Sequence, residues 1–358
     1  MKNNEIKKIY TKKILDNKSI NELFKHSVFK KANLKCSLLC GDFYADSHNY
    51  YPITKDNFYT FPDQFNWQKN NSIFYENSFK DNFFKEIDSC KEVSNAYVLG
   101  SSSSNNYYRN ILTYLHRVYF ITEKIINIAI HRNTSNYVRE FIKYILDLKK
   151  IKLRKFIFLD DSFYLFKNSQ IPSFLDINDV IKFYECVFPF NKSAKNDELI
   201  YISRRNANWR NIINETDFTG HIEKEGFQII DFETLQIKDQ IRKIQSAKKI
   251  IAPHGSGLTN LIFGGTNNEV IEIVPKDMDK ELMEIYLKYK KISDYKKNKH
   301  YFFEADLAQN DLTRYLKTRS YGEKLSIQKS NIRKNQYFKN FIVQESEFKK
   351  LITNFSIR

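Results

Sequence analysis

A regular alternation of strand-like and helix-like segments after Glu198 restricts the fold more than any other feature of this sequence. Apolar runs rich in β-branched residues predict strands at 199–202, 228–232, 249–251 and 270–274. Helical patterns over 217–225, which ends at Gly226, and over 234–247 separate the first three runs. This spacing suits right-handed βαβ units, so we predict an α/β fold with a parallel sheet and helices on both faces.

The N-terminal half is less regular. Its first 90 residues predict short strands and loops. Beyond them we predict strands at 96–99 and 156–159 and helices over 107–130, 137–149 and 179–187. A polar run at 191–197 is the best linker candidate. We therefore predict an N-terminal acceptor-side domain (1–190), a second, ligand-binding domain (191–325) and a basic C-terminal segment (326–358) that can cross back to the N-terminal domain.

Charge and hydropathy narrow the choice of partner and compartment. The 358 residues carry a net charge of +16, which attracts nucleic acid, phosphorylated small molecules or anionic lipid. No recognisable nucleic-acid module is present, so we expect no nucleic-acid partner. No apolar run approaches the roughly 18 residues of a membrane span, and the first 20 residues lack the apolar core of a secretory signal. We expect a cytoplasmic protein.

Ligands of parallel sheets bind beyond the carboxyl ends of the strands, so the residues that follow each strand are the candidates for a site. Arginines follow the first predicted strand, and a glycine-bearing turn follows the third. Arginine forks suit phosphate oxygens, and glycines let backbone N–H groups at a helix start approach an anion. We predict a diphosphate cradle in which His254 donates to a phosphate or a sugar hydroxyl. Its residues are Arg204, Arg205, Arg210, His254, Gly255, Ser256, Gly257 and Asn260.

Each of these residues also has a structural interpretation. A G-x-G turn is often only tight, paired arginines are often solvated, and a single histidine is often structural. Asn260 either fixes the turn or touches a ligand, and Glu272 either binds sugar hydroxyls or is a buried structural carboxylate. No Walker lysine follows the glycines, and the pattern is not G-x-G-x-x-G, which disfavours a P-loop or a dinucleotide site.

The motifs Y-I-S-R-R from Tyr201, H-G-S-G-L-T-N from His254 and V-I-E-I-V-P from Val270 resemble those of glycosyltransferase family 61. The resemblance implies a GT-B architecture, with two Rossmann-like domains facing across a cleft. It implies that the C-terminal domain holds a nucleotide-sugar donor, expected to be UDP-linked, with no other cofactor. It also implies inverting transfer to a glycan acceptor without a required metal, and bacterial members typically build capsule or other surface polysaccharide.

The N-terminal half matches this family less well. Asn106, Tyr107 and Arg117 agree with a motif like N-Y-x-H-x-x-x-D-x-x-P-R, but Arg109 replaces its His and Thr113 its Asp. We assign Asn106 and Arg109 to the acceptor side or cleft, where Arg109 can help to neutralise phosphate. The replacements leave open a degenerate homologue that binds nucleotide or glycan without turnover.

The general base is expected from the first domain. Asp160 and Asp161 follow the strand predicted at 156–159 and are the candidates, with a solvated loop pair as the alternative. Basic stretches at 288–291, 296–299 and 327–358 are either solvated helix faces or a peripheral contact with an anionic inner membrane surface. Such a contact would suit an acceptor carried on a polyprenyl diphosphate.

Overall fold

The structure is a computed structural model that describes residues 10–15, 36–45, 52–53, 87–99, 106–190, 196–207, 209–278, 280–308 and 339–357. The chain divides into two compact units, Met1–Val187 and Phe188–Arg358. Each unit contains its own sheet with helices, so the predicted α/β class is confirmed. Most of the predicted linker, residues 191–195, lies outside the described residues.

Unit 1 is built on a mixed sheet of eight described strands. They are β1 (Tyr10–Leu15), β2 (Cys36–Ala45), β3 (Pro52–Ile53), β4 (Lys91–Ser94), β5 (Tyr97–Val98), β6 (Ile125–His131), β7 (Lys152–Leu159) and β8 (Tyr164–Pro172). The sheet order is β1-β2-β8-β5-β6-β7, with β3 beside β2 and β4 beside β8. Strands β8, β5, β6 and β7 run parallel, so the carboxyl ends of β6 and β7 lie at one edge.

The helices of unit 1 correct one sequence prediction. A composite helix, α1, runs through Tyr107–Arg109, Asn110–Tyr114 and Leu115–Phe120, and α2 (Asn136–Leu148) and α3 (Ile177–Val187) follow. The helix predicted over 107–130 is therefore wrong in its second half, because β6 occupies Ile125–His131. This segment is rich in isoleucine and pairs on both sides, and buried parallel strands of that kind carry continuous apolar runs.

A buried arginine holds α1 against the sheet. The guanidinium of Arg117 donates to the Pro172 carbonyl at the end of β8, from Nε at 3.1 Å and from Nη2 at 2.6 Å. Its Cζ also lies 4.5 Å from the ring centroid of Phe174. Neighbouring His116 has no exposed surface, and burial lowers its pKa to about 3, so it stays neutral beside Arg117.

Unit 2 has a sheet of six described strands. They are β9 (Glu198–Ile202), β10 (Phe227–Ile230), β11 (Ala247–Pro253), β12 (Glu269–Pro275), β13 (Lys299–Ala308) and β14 (Asn340–Ile342). The order is β10-β9-β11-β12-β13-β14, and all neighbours are parallel except β13 and β14. The four strands predicted in this half correspond to β9 to β12.

Helices cover both faces of this sheet, as predicted. They are α4 (Thr219–Lys224), α5 (Ile237–Ser246), α6 (Lys280–Tyr295) and α7 (Glu345–Ile357), with short 3₁₀ helices at Glu215–Asp217, Phe232–Thr234 and Ser256–Phe263. Alternate residues of β12 show the two layers. Ile271 and Ile273 pack in one core with α4 and α7, whereas Val274 packs with Leu282 and Tyr286 of α6.

The C-terminal residues belong to the core of unit 2. Phe341 of β14 and Phe348 and Phe355 of α7 are buried in the cluster that also contains α4 residues. These aromatics lie in the basic stretch 327–358, which the sequence analysis considered for a membrane contact, but they are core residues. Helix α7 packs within unit 2. Residues 309–338 lie outside the described residues. None of the helices that the structure describes combines the length and apolarity needed to span a bilayer.

Replacing Arg117 with Met tests the role of the buried guanidinium. The Pro172 carbonyl would lose both donors, and Phe174 would lose its cation, so we expect the free energy of unfolding to fall by about 3 kcal/mol. Denaturant unfolding measures this loss. Arg154→Met, at an exposed position of β7, is the matched control and should change stability by less than about 0.5 kcal/mol. Equal stability of the two variants would contradict the assignment.

Candidate functional site

The strand order of unit 2 creates a crevice between β9 and β11. The chain leaves β9 towards β10 at one side of the sheet and later returns to β11 at the other side of β9. Where the order reverses, the loops diverge to opposite faces and leave room for a ligand beyond the strand ends. Strand β9 ends at Ile202 and β11 at Pro253, so Arg204 and Gly255 follow the two strands that flank this point.

Arg204 lies directly on the backbone of Gly255. A Cβ built on Gly255 would lie 2.6 Å from Cζ of Arg204, closer than any side chain allows. The backbone of Gly255 is extended, with φ at 175°, so the φ angle does not favour glycine here, and it is the contact with Arg204 that depends on the missing Cβ. Nη2 of Arg204 also donates to the Trp209 carbonyl at 3.0 Å. The structure thus brings together the arginine and the glycine turn that were predicted to lie at the same end of the parallel sheet.

A buried carboxylate fixes the turn that carries Arg204. Glu215 accepts hydrogen bonds from Ser203 Oγ and from the Tyr201 hydroxyl, both at 2.8 Å. Ser203 Oγ in turn accepts from the backbone N–H of Arg205 at 3.2 Å. The strand end and the first residues of the turn are therefore locked before any ligand binds. Glu215 lies in the segment that resembles the glycosyltransferase motifs, but its local pattern does not predict these contacts.

The two other predicted arginines occupy different environments. Arg205 is exposed to solvent, whereas Arg210 is buried and has a left-handed backbone with φ at 58°. The charge of Arg210 acts on both His254 and Glu272, as that of Arg204 does on His254. The buried arginines near the glycine turn are therefore Arg204 and Arg210, and Arg205, with its exposed side chain, stays a predicted ligand of the diphosphate.

His254 and Glu272 belong to a buried hydrogen-bonded chain. Nδ1 of His254 is hydrogen bonded to Oε1 of Glu272, and Oε2 of Glu272 lies 2.9 Å from Nε2 of His300. Nδ1 of His300 lies 2.8 Å from Oγ of Ser293. None of the His254, Glu272 and His300 side chains has exposed surface. Of its two interpretations, Glu272 fits that of a buried carboxylate, which here holds His254.

The surroundings keep His254 neutral. Burial lowers its pKa well below the ordinary value, and the charges of Lys288, Arg210 and Arg204 lower the pKa further. Its ring centroid lies 3.9 Å from that of Tyr286, on α6. Burial raises the pKa of Glu272, while the hydrogen bond from His300 opposes that rise. A neutral His254 binds phosphate more weakly than a charged one. Its buried ring fits a structural role in the turn better than the phosphate-donor role predicted from the sequence.

The remaining residues of the turn have structural contacts or partial exposure. Asn260 is buried and donates from Nδ2 to Gln240 Oε1 at 3.0 Å, which ties the 3₁₀ helix to α5 and favours its turn-fixing interpretation. Ser256 and Gly257 begin that helix and are partly exposed, so the helix start is accessible from the crevice. A Cβ on Gly257 would lie 3.2 Å from Ile202 Cγ2.

Acidic residues at the end of β10 complete this edge and were missed in the sequence. Asp231 is buried and accepts hydrogen bonds from Asn206 Nδ2 and from the backbone N–H of Glu233. Burial raises the pKa of Glu233, although the charge of Arg204 acts in the opposite direction. Both residues lie at or just after the end of a short predicted strand, and this position could have identified them, because the carboxyl ends of the strands of one parallel sheet lie together.

The two candidate bases of unit 1 differ in their contacts. Asp160 pairs with Lys91 and accepts from the Tyr164 hydroxyl at 2.7 Å and from the Ser162 N–H at 3.0 Å. These hydrogen bonds, with that of Lys91 first, hold the pKa of Asp160 well below its usual range. Such a carboxylate is a poor proton acceptor, so the structure disfavours Asp160 as a base.

Asp161 is exposed and is positioned by a histidine that the sequence analysis missed. Its Oδ1 lies 3.2 Å from Nε2 of His131, the buried last residue of β6. The backbone N–H of Asn133 donates to Nδ1 of His131, so the ring proton sits on Nε2 and is donated to Asp161. Burial lowers the pKa of His131, and Asp161 opposes that shift. The arrangement orients one carboxylate oxygen and leaves the group open to solvent.

Asn106 and Arg109 lie at the start of α1. Oδ1 of Asn106 accepts from the backbone N–H of Arg109 at 3.1 Å, which makes Asn106 the N-cap of this helix. Arg109 is partly buried. Among the described residues of both units, no three His, Cys, Asp or Glu side chains converge on a point where a metal ion could bind.

Comparison with known proteins assigns the chain to a family. The sequence model described as Glycosyltransferase 61 matches residues 57–271, which is more than half of the chain. The chain belongs to the glycosyltransferase 61 family. It is also similar to a protein named beta-1,2-xylosyltransferase from Arabidopsis thaliana, with 36% identity over 56 residues. That match covers 16% of this chain and only 10% of the plant protein.

The approach of Arg204 to Gly255 predicts the effect of adding a single methyl group. In Gly255→Ala the new Cβ would push aside the end of a flexible side chain, so we expect stability to change by less than about 1 kcal/mol. The guanidinium would move away from the turn, and we expect affinity for inorganic pyrophosphate to fall at least about tenfold, measured by titration calorimetry.

Gly220→Ala is the matched control, because a Cβ on this α4 residue meets no atom within 4 Å. It should bind pyrophosphate as the wild type does. Unchanged pyrophosphate affinity in a folded Gly255→Ala protein would remove this pair from the anion site.

Proposed function

We propose that this protein is an inverting glycosyltransferase that moves a sugar from a UDP-linked donor to a glycan acceptor. The observation that supports this most is the guanidinium of Arg204 resting on Gly255 at the crevice between β9 and β11. Membership of the glycosyltransferase 61 family makes sugar transfer the chemistry for which such an anion site is used. The GT-B arrangement of the two units is part of this proposal.

The proposed task of unit 2 is to hold the diphosphate and stabilise it as it leaves. Negative charge builds on the diphosphate as the bond to the sugar breaks, and fixed cations and N–H groups aimed at it lower the barrier. Arg204 and Arg210 supply the cations, and the accessible start of the helix at Ser256 supplies N–H groups. Because these groups can balance the charge, we propose that the reaction needs no metal ion.

The proposed task of unit 1 is to supply the base that deprotonates the acceptor hydroxyl. We assign it to Asp161, because His131 orients one of its oxygens while the carboxylate stays exposed. Asp160, which already has three hydrogen-bond donors, holds the turn. In an inverting reaction the activated hydroxyl attacks the anomeric carbon from the face opposite to the diphosphate, in a single displacement.

The identity of the sugar and acceptor is proposed only by class. The name of the plant relative adds xylose to the donors to be tried, beside hexoses. A role in bacterial capsule or surface polysaccharide, an acceptor on polyprenyl diphosphate and a site at the inner membrane surface stay predictions. Lys290 pairs with Asp294, and Lys296 is buried, so the basic stretches 288–291 and 296–299 offer a membrane fewer exposed charges than the sequence suggested.

A donor panel with Arg204→Ala tests the function. We expect one nucleotide sugar to raise the melting temperature of the wild-type protein and to release its nucleoside diphosphate slowly in water, with EDTA present. Arg204→Ala should fold but lose about a hundredfold in turnover, which is typical for removal of one group that stabilises a developing anion. Arg242→Ala, at an exposed position of α5, is the matched control.

Three outcomes decide between the alternatives. Binding of a nucleotide sugar with no release of nucleotide, with or without glycan acceptors, would favour a degenerate nucleotide-binding homologue. A strict requirement for Mn²⁺ would overturn the metal-free scheme. Wild-type turnover by Arg204→Ala would remove Arg204 from the leaving-group site.

The two neighbouring aspartates give a direct test of the base. Asp161→Asn removes the proton acceptor but keeps the contact with His131, so we expect kcat to fall by about 10²–10⁴ with little change in the donor KM. Asp160→Asn should leave kcat within about tenfold and act mainly on stability, since it loses the ion pair with Lys91. Steady-state kinetics and thermal unfolding separate the two. Equal losses of kcat in both variants would contradict the assignment.

A further inference from the structure

The geometry points to His300 as a positioning residue that, through Glu272, sets which nitrogen of His254 carries the proton beside the anion site. This inference deepens the proposed function and rests on it for its catalytic meaning. The hydrogen-bonded chain itself can be tested without any reaction.

The direction of each hydrogen bond follows from the groups that meet. Ser293 Oγ lies 2.8 Å from Nδ1 of His300, and the serine hydroxyl can donate to that nitrogen. The proton of His300 then sits on Nε2, which donates to Oε2 of Glu272 at 2.9 Å. The hydrogen bond from His300 favours the ionised form of Glu272, and an ionised carboxylate only accepts, so its other oxygen requires a donor from His254.

His254 is thereby held in one tautomer. Nδ1 carries its proton and donates to Oε1 of Glu272, so Nε2 keeps a lone pair. His254 stays neutral because burial and the charges of Lys288, Arg210 and Arg204 lower its pKa. The charges of Lys288, Arg210 and Arg204 act on this ring, and a lone pair on Nε2 adds neither a proton nor a positive charge to that group of cations. The tautomer therefore favours the arrangement of the cations around the turn.

The position of the chain links it to the anion site. The backbone N–H of His254 donates to the Ile273 carbonyl at 2.9 Å, and the next residue is Gly255, on which Arg204 rests. Tyr286 of α6 packs on the His254 ring, with the centroids 3.9 Å apart. His300 lies on β13, two strands away from β11, so it acts on the site only through Glu272.

The protonation state of His254 can be read directly by NMR. The full-length protein is labelled with ¹⁵N-histidine, and long-range ¹H–¹⁵N spectra show for each ring which nitrogen is protonated. The His254 signals are identified by their loss in His254→Gln. We expect a protonated Nδ1 in the wild type. In His300→Phe, Glu272 loses the hydrogen bond that opposes the rise of its pKa on burial, so it can take up a proton and donate to Nδ1, and we expect a mixture of tautomers. His300→Gln, whose amide N–H can replace the Nε2 donor, should keep the wild-type state.

Pyrophosphate titration adds a functional readout that does not need the donor sugar. We expect His300→Phe to weaken pyrophosphate binding about tenfold, the loss typical of a removed supporting partner, and His300→Gln to restore it. A merely structural role would destabilise both variants without moving the tautomer.

Two results would overturn the inference: His254 protonated on Nε2 or on both nitrogens in the wild type, or an unchanged tautomer in His300→Phe. If His300→Phe does not fold, the nearly isosteric Glu272→Gln gives the same decision. Its amide has one oxygen and cannot accept from both rings, so one histidine must change tautomer, and retention of both wild-type states would overturn the proposal. The expected tautomers in a protein that transfers no sugar would count against the proposed function and not against the positioning role of His300.

Discussion

The candidate site of unit 2 depends on one close contact, that of the Arg204 guanidinium with the backbone of Gly255. A cation can approach a main chain this closely only where no Cβ intervenes, and the strand order places the two residues on neighbouring strand ends. The contact is fixed from the strand side, because Glu215 ties Ser203 and Tyr201 together beneath the turn. The proposed anion site is thus built from backbone and buried side chains.

Burying two arginines near each other has an electrostatic cost that shapes the rest of the site. Arg204 and Arg210 have little exposed surface, and removal of such charges from water is unfavourable unless anions compensate them. Their charges help to keep His254 neutral and oppose the rise in the pKa of Glu272 that burial causes. A diphosphate bound beside them would supply negative charge to two buried cations, which is a physical reason for the proposed site to favour a doubly charged group.

The sequence predicted the elements of unit 2 well and the contacts of its site less well. Strands β9 to β12 were predictable because buried parallel strands are short apolar runs. The apolar segment Ile125–His131 was predicted as helix, since the periodicity of such a short run does not distinguish a strand from a helix. Arg210 is buried and has a left-handed backbone, and no local sequence pattern reveals either property. His300 lies 28 residues from Glu272 and is brought to it only by the pairing of β12 with β13.

Asp160 and Asp161 show why adjacent residues of one type can have different chemistry. Both follow β7, and the sequence offered no basis for choosing between them. Strand β4 presents Lys91 to Asp160, and Tyr164 at the start of β8 returns to bond it, so this carboxylate is stabilised as an anion and resists protonation. Among the described residues, Asp161 contacts the end of β6, where a neutral His131 donates one hydrogen bond to it. A base must be oriented and must not already be stabilised as an anion by several donors, so these contacts favour Asp161 over Asp160 for the proposed role.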